Sequence, residues 1–308
     1  MSRGRYPHRN DVFLALAGLA LYAPAVGRYG QRILLLLLLS VVVGMGIEYA
    51  AKSRCAGAPR VYGFPAWILL PLVLPPALPL WMGVLSIAFA ITVCIVFFGG
   101  HGRHPTAPVA VGWTFAALSF PAAFGFAWVY PFPGVTDGFR IWSSSLPVVD
   151  HPIVLLATRD DISLRMLLFG DFPQAPGSTL PILVMALGLG LLLFRAISVR
   201  TCLGFLGAYT WLMLMLPGAS LHGVAESLLA GNVLFAAFFI VGDARTCART
   251  TDGRWLAGIL AGIAACLIGQ YASFPDGVFF AVLLANVFAP IIDEGVVMST
   301  TPVVEGTT

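Results

Sequence analysis

Long apolar runs separated by short polar clusters divide this chain of 308 residues. A run of roughly 17–25 apolar residues is long enough to cross a ~30 Å hydrocarbon core as a helix. On that basis the pattern predicts ten candidate spans, five on each side of one long interlude. The first five cover about 11–27, 33–50, 64–80, 81–98 and 109–130. The second five cover about 181–197, 201–217, 227–242, 255–271 and 278–292. The expected fold is an all-α, polytopic membrane protein. Its expected parts are a first membrane half (1–130), an extracytoplasmic loop (131–180), a second membrane half (181–293) and a cytoplasmic tail (294–308). An odd number of spans per half reverses the second half, so any internal repeat is inverted. The third run contains Pro71, Pro75, Pro76 and Pro79. Proline at membrane depth survives only where protein or a cavity satisfies the freed backbone groups. That segment is therefore expected to be a broken helix inside the bundle, facing a ligand.

Composition agrees with the pattern. The chain is 59% hydrophobic and 10% charged, against about 25% charged in soluble domains. With the amino terminus in the cytoplasm, twelve of the 17 basic residues fall inside and five outside. The positive-inside rule favours this orientation, with both termini cytoplasmic, the long loop extracytoplasmic and a bacterial-type inner membrane as the location. Residues 1–10 are basic, and the apolar run after them reads as a first anchor rather than a cleaved signal. The arginines are scattered over loops, which argues against nucleic-acid binding. The five cysteines form no Cys-x-x-Cys pair, so they read as small buried hydrophobes rather than metal ligands.

The chemistry is concentrated where the long loop ends, in Gly170–Leu183, which reads GDFPQAPGSTLPIL. Pro173, Pro176 and Gly177 hold this backbone away from a helix. The hydroxyls of Ser178 and Thr179 are then left at the mouth of the next apolar run. At the water–lipid boundary a charged group could be attached to such a hydroxyl without entering hydrocarbon. The plainer alternative is an ordinary Ser-Thr helix cap. A second polar feature, residues 99–108, carries Gly99, Gly100, Gly102, His101 and His104. It lacks the spacing and lysine of a phosphate-binding nucleotide loop. It either lines a ligand site or forms a solvated turn. Few ionisable groups approach membrane depth; Glu48, Glu226, Asp243 and Asp293 all fall near span ends. Of these, Asp243 and Glu226 are candidates for an ion path.

Several stretches resemble one family. They are Pro7-His8, the proline-rich LPPALPLW (74–81), the run FGGHGRHP (98–105) continuing to Gly112 and SFP (119–121), and GNVLFAAFF (231–239) with Asp243, Gly253, FPDG (274–277), Asn286, Pro290 and Asp293. In order and spacing they resemble the D subunit of Rnf-type electron-transport complexes, related to the B subunit of the sodium-translocating NADH:quinone reductase. The resemblance covers nearly the whole chain outside the loop and the last dozen residues. It implies FMN joined by a phosphoester to Thr179, with Gly177 and Ser178 preceding it, and a separate flavin transferase drawing on FAD and a metal ion. It implies a ring among aromatic neighbours, for which Trp113, Phe120, Phe235 and Phe239 are the candidates. A second, noncovalent flavin such as riboflavin is an expectation for the loop with Gly100 and His104. The implied role is electron transfer on the outer face, within a complex of membrane and peripheral subunits, with coupling to Na+ or H+. The chain departs from the family at His104, at Thr106-Ala107 and at Pro176. Two other functions stay open on the same scaffold: a flavin-free transporter or channel, and a structural subunit without cofactor.

Overall fold

The computed structural model describes residues 9–54, 64–98, 104–134, 136–142, 148–152, 154–155, 162–217, 220–243, 245–272 and 276–300. Helices account for 75% of it. In chain order, α1 (Arg9–Tyr29) and α2 (Arg32–Arg54) are full-length apolar helices. The proline-rich segment breaks as its sequence requires. Helix α3 (Phe64–Val73) stops, residues 74–79 are non-helical, and α4 (Leu80–Ala90) resumes and runs into a π-helical stretch, Ile91–Val96. At 1.5 Å per residue, the ten residues of α3 reach about halfway across a bilayer.

The expected fifth span, 109–130, is not one helix. Helix α5 (Pro108–Ser119) gives way at Pro121 to the short α6 (Pro121–Gly125). The chain is extended by β1 (Trp128–Val129), which pairs antiparallel with β2 (Val148–Val149). Proline has no N–H to continue the ladder of α5, and this is the physical reason for the shortfall. In the loop, α7 (Leu164–Phe169) is capped by Ser163 and ended by Gly170 at φ 75°.

The second half opens with α8 (Pro181–Leu193) and α9 (Val199–Met215). The expected eighth span also corrects to a broken one. Helix α10 (Leu221–Leu229) and α11 (Val233–Ala236, continued as the π-helical Ala237–Val241) meet at a 66° bend. Gly231, at φ 77°, makes the turn. Helix α12 (Thr251–Tyr271) and α13 (Val278–Thr300) complete the bundle. Residues 294–300 of the expected tail thus belong to α13, while 301–308 lie outside the described residues. Among the described residues, four helices are long and apolar enough to span a membrane, or five if the bent pair is one span. The chain is a multi-pass membrane protein, and each half contains a discontinuous helix followed by a π-helical stretch.

Helix α12 lies against α9 at backbone contact. A Cβ on Gly258 would sit 2.4 Å from the Thr201 carbonyl oxygen, and one on Gly262 2.4 Å from that of Phe205. In lipid, where hydrophobic burial does not draw helices together, such small-residue contact is what lets them pack. Gly258→Val or Gly262→Val should therefore force the pair apart and destabilise the fold by about 1–3 kcal/mol. Gly269, with open space at its Cβ position, should accept alanine silently. Thermal melting of the three variants in detergent checks this.

Candidate functional site

The turn that carries Ser178 and Thr179 is not at the surface. Residues Pro176–Ser178 form one 3-10 turn, and Gly177, Ser178 and Thr179 are all buried. The turn wedges between both broken helices. A Cβ on Gly177 would meet Leu72 of α3 at 2.9 Å and the Phe235 ring of α11 at 2.8 Å. Glycine is required there by close approach. Thr179, only 1% exposed, donates its hydroxyl hydrogen to the Pro176 carbonyl at 2.7 Å. The expectation of a hydroxyl presented at the boundary is thus corrected, because the 3-10 turn folds Thr179 back on its own backbone.

Ser178 makes the longer-range connection. Its Oγ donates to Asn232 Oδ1 (2.9 Å), in the break between α10 and α11. Asn232 Nδ2 donates to Asp276 Oδ2 (2.9 Å), at the start of α13. Asp276 in turn lies 3.5 Å from His151 Nε2. Asn232, Asp276 and His151 are all buried. A buried carboxyl group is costly unless hydrogen-bonded, and the Asn232 amide supplies that bond.

Two cavities share Asp276. The first, about 300 Å3, is lined by Trp113, Pro121, Phe124, Phe126, Asp150 and His151 among others. Trp113 stacks on Phe279 at 4.5 Å and meets Phe124 edge-on at 5.2 Å. Its indole N–H is buried with no acceptor among the described residues. The second, about 340 Å3, is lined by Tyr209, Ser227 and Glu226 among others. Glu226 pairs with His222 at 3.0 Å.

The four aromatic candidates are not brought together. Trp113 lines the first cavity. Phe235 and Phe239 stack on each other at 4.8 Å, buried, with Phe235 against Gly177. Phe120 packs on Trp81 and Phe115 instead.

A third cavity, about 590 Å3, opens beyond the far end of α11. It is lined by His104, Pro105, Arg245, Cys247, Asn286 and Asp293, with others. His104 is buried, its Nδ1 3.0 Å from the Thr106 carbonyl. Gly100 lies outside the described residues. Arg245 bridges two acids: its Nη2 is 2.9 Å from Asp243 Oδ2, and its Nη1 pairs with Asp11 of α1. Burial acts to raise the Asp243 carboxyl pKa, but the Arg245 guanidinium outweighs it and holds the group below its ordinary value. Asp293 accepts from the Arg249 and Thr250 amides at 2.7 and 2.9 Å, just ahead of α12, which Thr250 caps. The two ion-path candidates are thus held apart by the length of α11, each already paired.

Sequence reasoning passes over Asn232, Asp276, His151, Arg28 and Tyr29 as site residues. A lone asparagine beside glycine inside an apolar run is a usable signal for Asn232. Nothing in the sequence marks His151.

Two discontinuous helices, with polar groups gathered at the breaks, make this a multi-pass membrane protein with buried polar clusters. Residues 8–301 match the model of the NQR2, RnfD, RnfE family, and the chain belongs to that family. It is 32% identical over 261 residues to the D subunit of the ion-translocating oxidoreductase complex of Yersinia pseudotuberculosis serotype O:1b, covering 74% of this chain and 73% of that protein. The protein of the same name from Actinobacillus succinogenes is 27% identical over 331 aligned positions, covering 94% and 92%. That from Salmonella typhi is 30% identical over 261, covering 73% of each.

The Asp243–Arg245 pair generates a pH prediction. A carboxyl with a depressed folded pKa stabilises the fold above its unfolded value of ~3.9 and loses that contribution as pH falls through the folded value. Melting temperature in detergent should therefore drop below about pH 4 more steeply for wild type than for Asp243→Asn.

Proposed function

We propose that this chain is the flavin-carrying D subunit of an Rnf-like ion-translocating oxidoreductase complex. It sits in a bacterial inner membrane with both termini in the cytoplasm and the loop outside, and FMN is joined to Thr179 by a phosphoester. The bound flavin would supply one- and two-electron redox chemistry; the protein supplies position, polarity and exclusion of water. The observation that carries the reading is the junction of the Ser178–Thr179 turn with an aromatic cavity. Ser178, Asn232 and Asp276 form one hydrogen-bonded chain from that turn to the cavity wall.

The residues fit a flat aromatic ring. Trp113, Phe124 and Phe126 offer faces and edges, and the Trp113 N–H is a donor without an acceptor among the described residues. Phe235 packs against Gly177 of the turn. Arg28 contacts the same loop through Asp171. His151 and Asp276 place an imidazole and a carboxyl group at the cavity wall. The cavity beside His104, with Asn286 and Arg245, is the place for the second, noncovalent flavin. Electrons must come and go through other membrane and peripheral subunits, and a flavin transferase must load the chain. Coupling to Na+ or H+ movement follows from membership of such a complex.

Discontinuous helices also suit transporters, so a flavin-free transporter on the same scaffold is the competing reading. In-gel ultraviolet fluorescence of the denatured chain, co-expressed with a flavin transferase, separates the two. The expected result is a fluorescent wild-type band that is lost in Thr179→Val and kept in Phe120→Leu. A dark wild-type band beside a labelled control protein would favour transport.

A further inference from the structure

The reading of Thr179 as the flavin acceptor meets a geometric obstacle, and this inference rests on that reading. In the transfer, Thr179 Oγ1 attacks the phosphorus of the FMN half of FAD. An Oγ1–P bond forms, the pyrophosphate P–O bond breaks, AMP leaves, and the hydroxyl proton passes to a base on the transferase. No electrons change hands. Attack in line requires the hydroxyl to stand clear of the protein, with an enzyme active site closed around it.

The folded chain forbids this. Thr179 is 1% exposed, and its hydroxyl is spent on the Pro176 carbonyl. The segment is held down from both ends. At the near end, Arg28 at the carboxyl end of α1 reaches into the loop. Its Nη1 meets Asp171 Oδ1 at 2.7 Å and the Phe132 carbonyl at 2.9 Å, and its Nη2 meets the Phe169 carbonyl at 2.9 Å. Beside it, the fully buried Tyr29 phenol accepts from the Gln174 amide at 2.9 Å. At the far end, Ser178 is tied to Asn232. Gly170 closes the arrangement, since a Cβ on it would lie 2.1 Å from the Thr179 carbonyl oxygen.

We infer that residues 170–180 exist in two states, an undocked one in which Thr179 accepts the flavin and a latched one that is closed to the transferase. The Arg28–Asp171 pair and the Tyr29–Gln174 bond are the latch. Loading therefore precedes docking, and a chain that latches without flavin is a poor substrate afterwards. The latch is polar and charge-assisted, so removing single members should raise the open population without dismantling the apolar bundle.

The test uses full-length chain expressed without transferase, purified in detergent, then given transferase, FAD and Mg2+. Labelling at Thr179 is read by in-gel fluorescence over time. Wild type should label slowly, and Arg28→Ala about tenfold faster or more. Asp171→Asn keeps the backbone contacts of Arg28 and should be accelerated less. If Arg28→Ala fails gel filtration as a folded species, Asp171→Asn and Gly170→Ala decide. Co-expressed wild type should label fully, and Thr179→Val should stay dark in every arm. Purified wild type labelled as fast as the latch variants would overturn the inference while leaving Thr179 as the acceptor. Darkness in every arm, co-expression included, would overturn the acceptor reading and the inference with it.

Discussion

A helix that breaks inside an apolar bundle exposes carbonyls and amides that lipid cannot satisfy, and this constraint organises the molecule. Both breaks are met by groups from elsewhere in sequence. At the first, Arg32 Nη2 donates to the Leu78 carbonyl at 2.6 Å, and Ala77 donates its amide to the Ala127 carbonyl at 3.0 Å. At the second, the buried Gln174 amide, oriented with its nitrogen toward acceptors, reaches the Leu229 carbonyl at 3.2 Å. Ser178 meets Asn232 in the same break. The Gln174–Ser178 segment is therefore a structural plug as well as a candidate site.

The same constraint explains where polarity collects. Between the breaks the bundle is packed with Leu72, Val73, Leu74, Phe235 and Phe239, all buried. At one end stand Ser178, Asn232, Asp276 and His151, with the aromatic cavity. At the other stand Asp11, Asp243, Arg245 and His104, with the largest of the three cavities described. Each buried acid costs stability unless it is met by a partner; at one end Asn232 bonds Asp276, and at the other Arg245 pairs with Asp11.

Much of the fold is legible in the chain. Apolar run length marks α1, α2, α12 and α13, and four prolines in one run mark the break after Val73. The fifth and eighth runs fold differently from their apolar pattern, because one proline or one glycine decides a break only once the surrounding packing accepts it. Pro121 ends α5 where the chain turns toward β1, and Gly231 bends the second half by 66° where Asn232 finds partners. Of the site, Gly177, Ser178 and Thr179 are marked by local turn chemistry, yet their burial is not, since it depends on Arg28, Tyr29 and Phe235 from distant segments.

The sequence by itself determined that this is a multi-pass helical membrane protein with a family-specific order of proline, glycine and asparagine positions. Hydrophobic run length and backbone stereochemistry are local properties, written one residue after another. Only the tertiary structure decided that the Pro176–Thr179 turn lies wedged between two broken helices, that Asp276 joins it to an aromatic cavity, and that Asp243 and Glu226 stand apart. Those relations depend on which distant groups satisfy a buried donor or acceptor, and no local pattern encodes that choice.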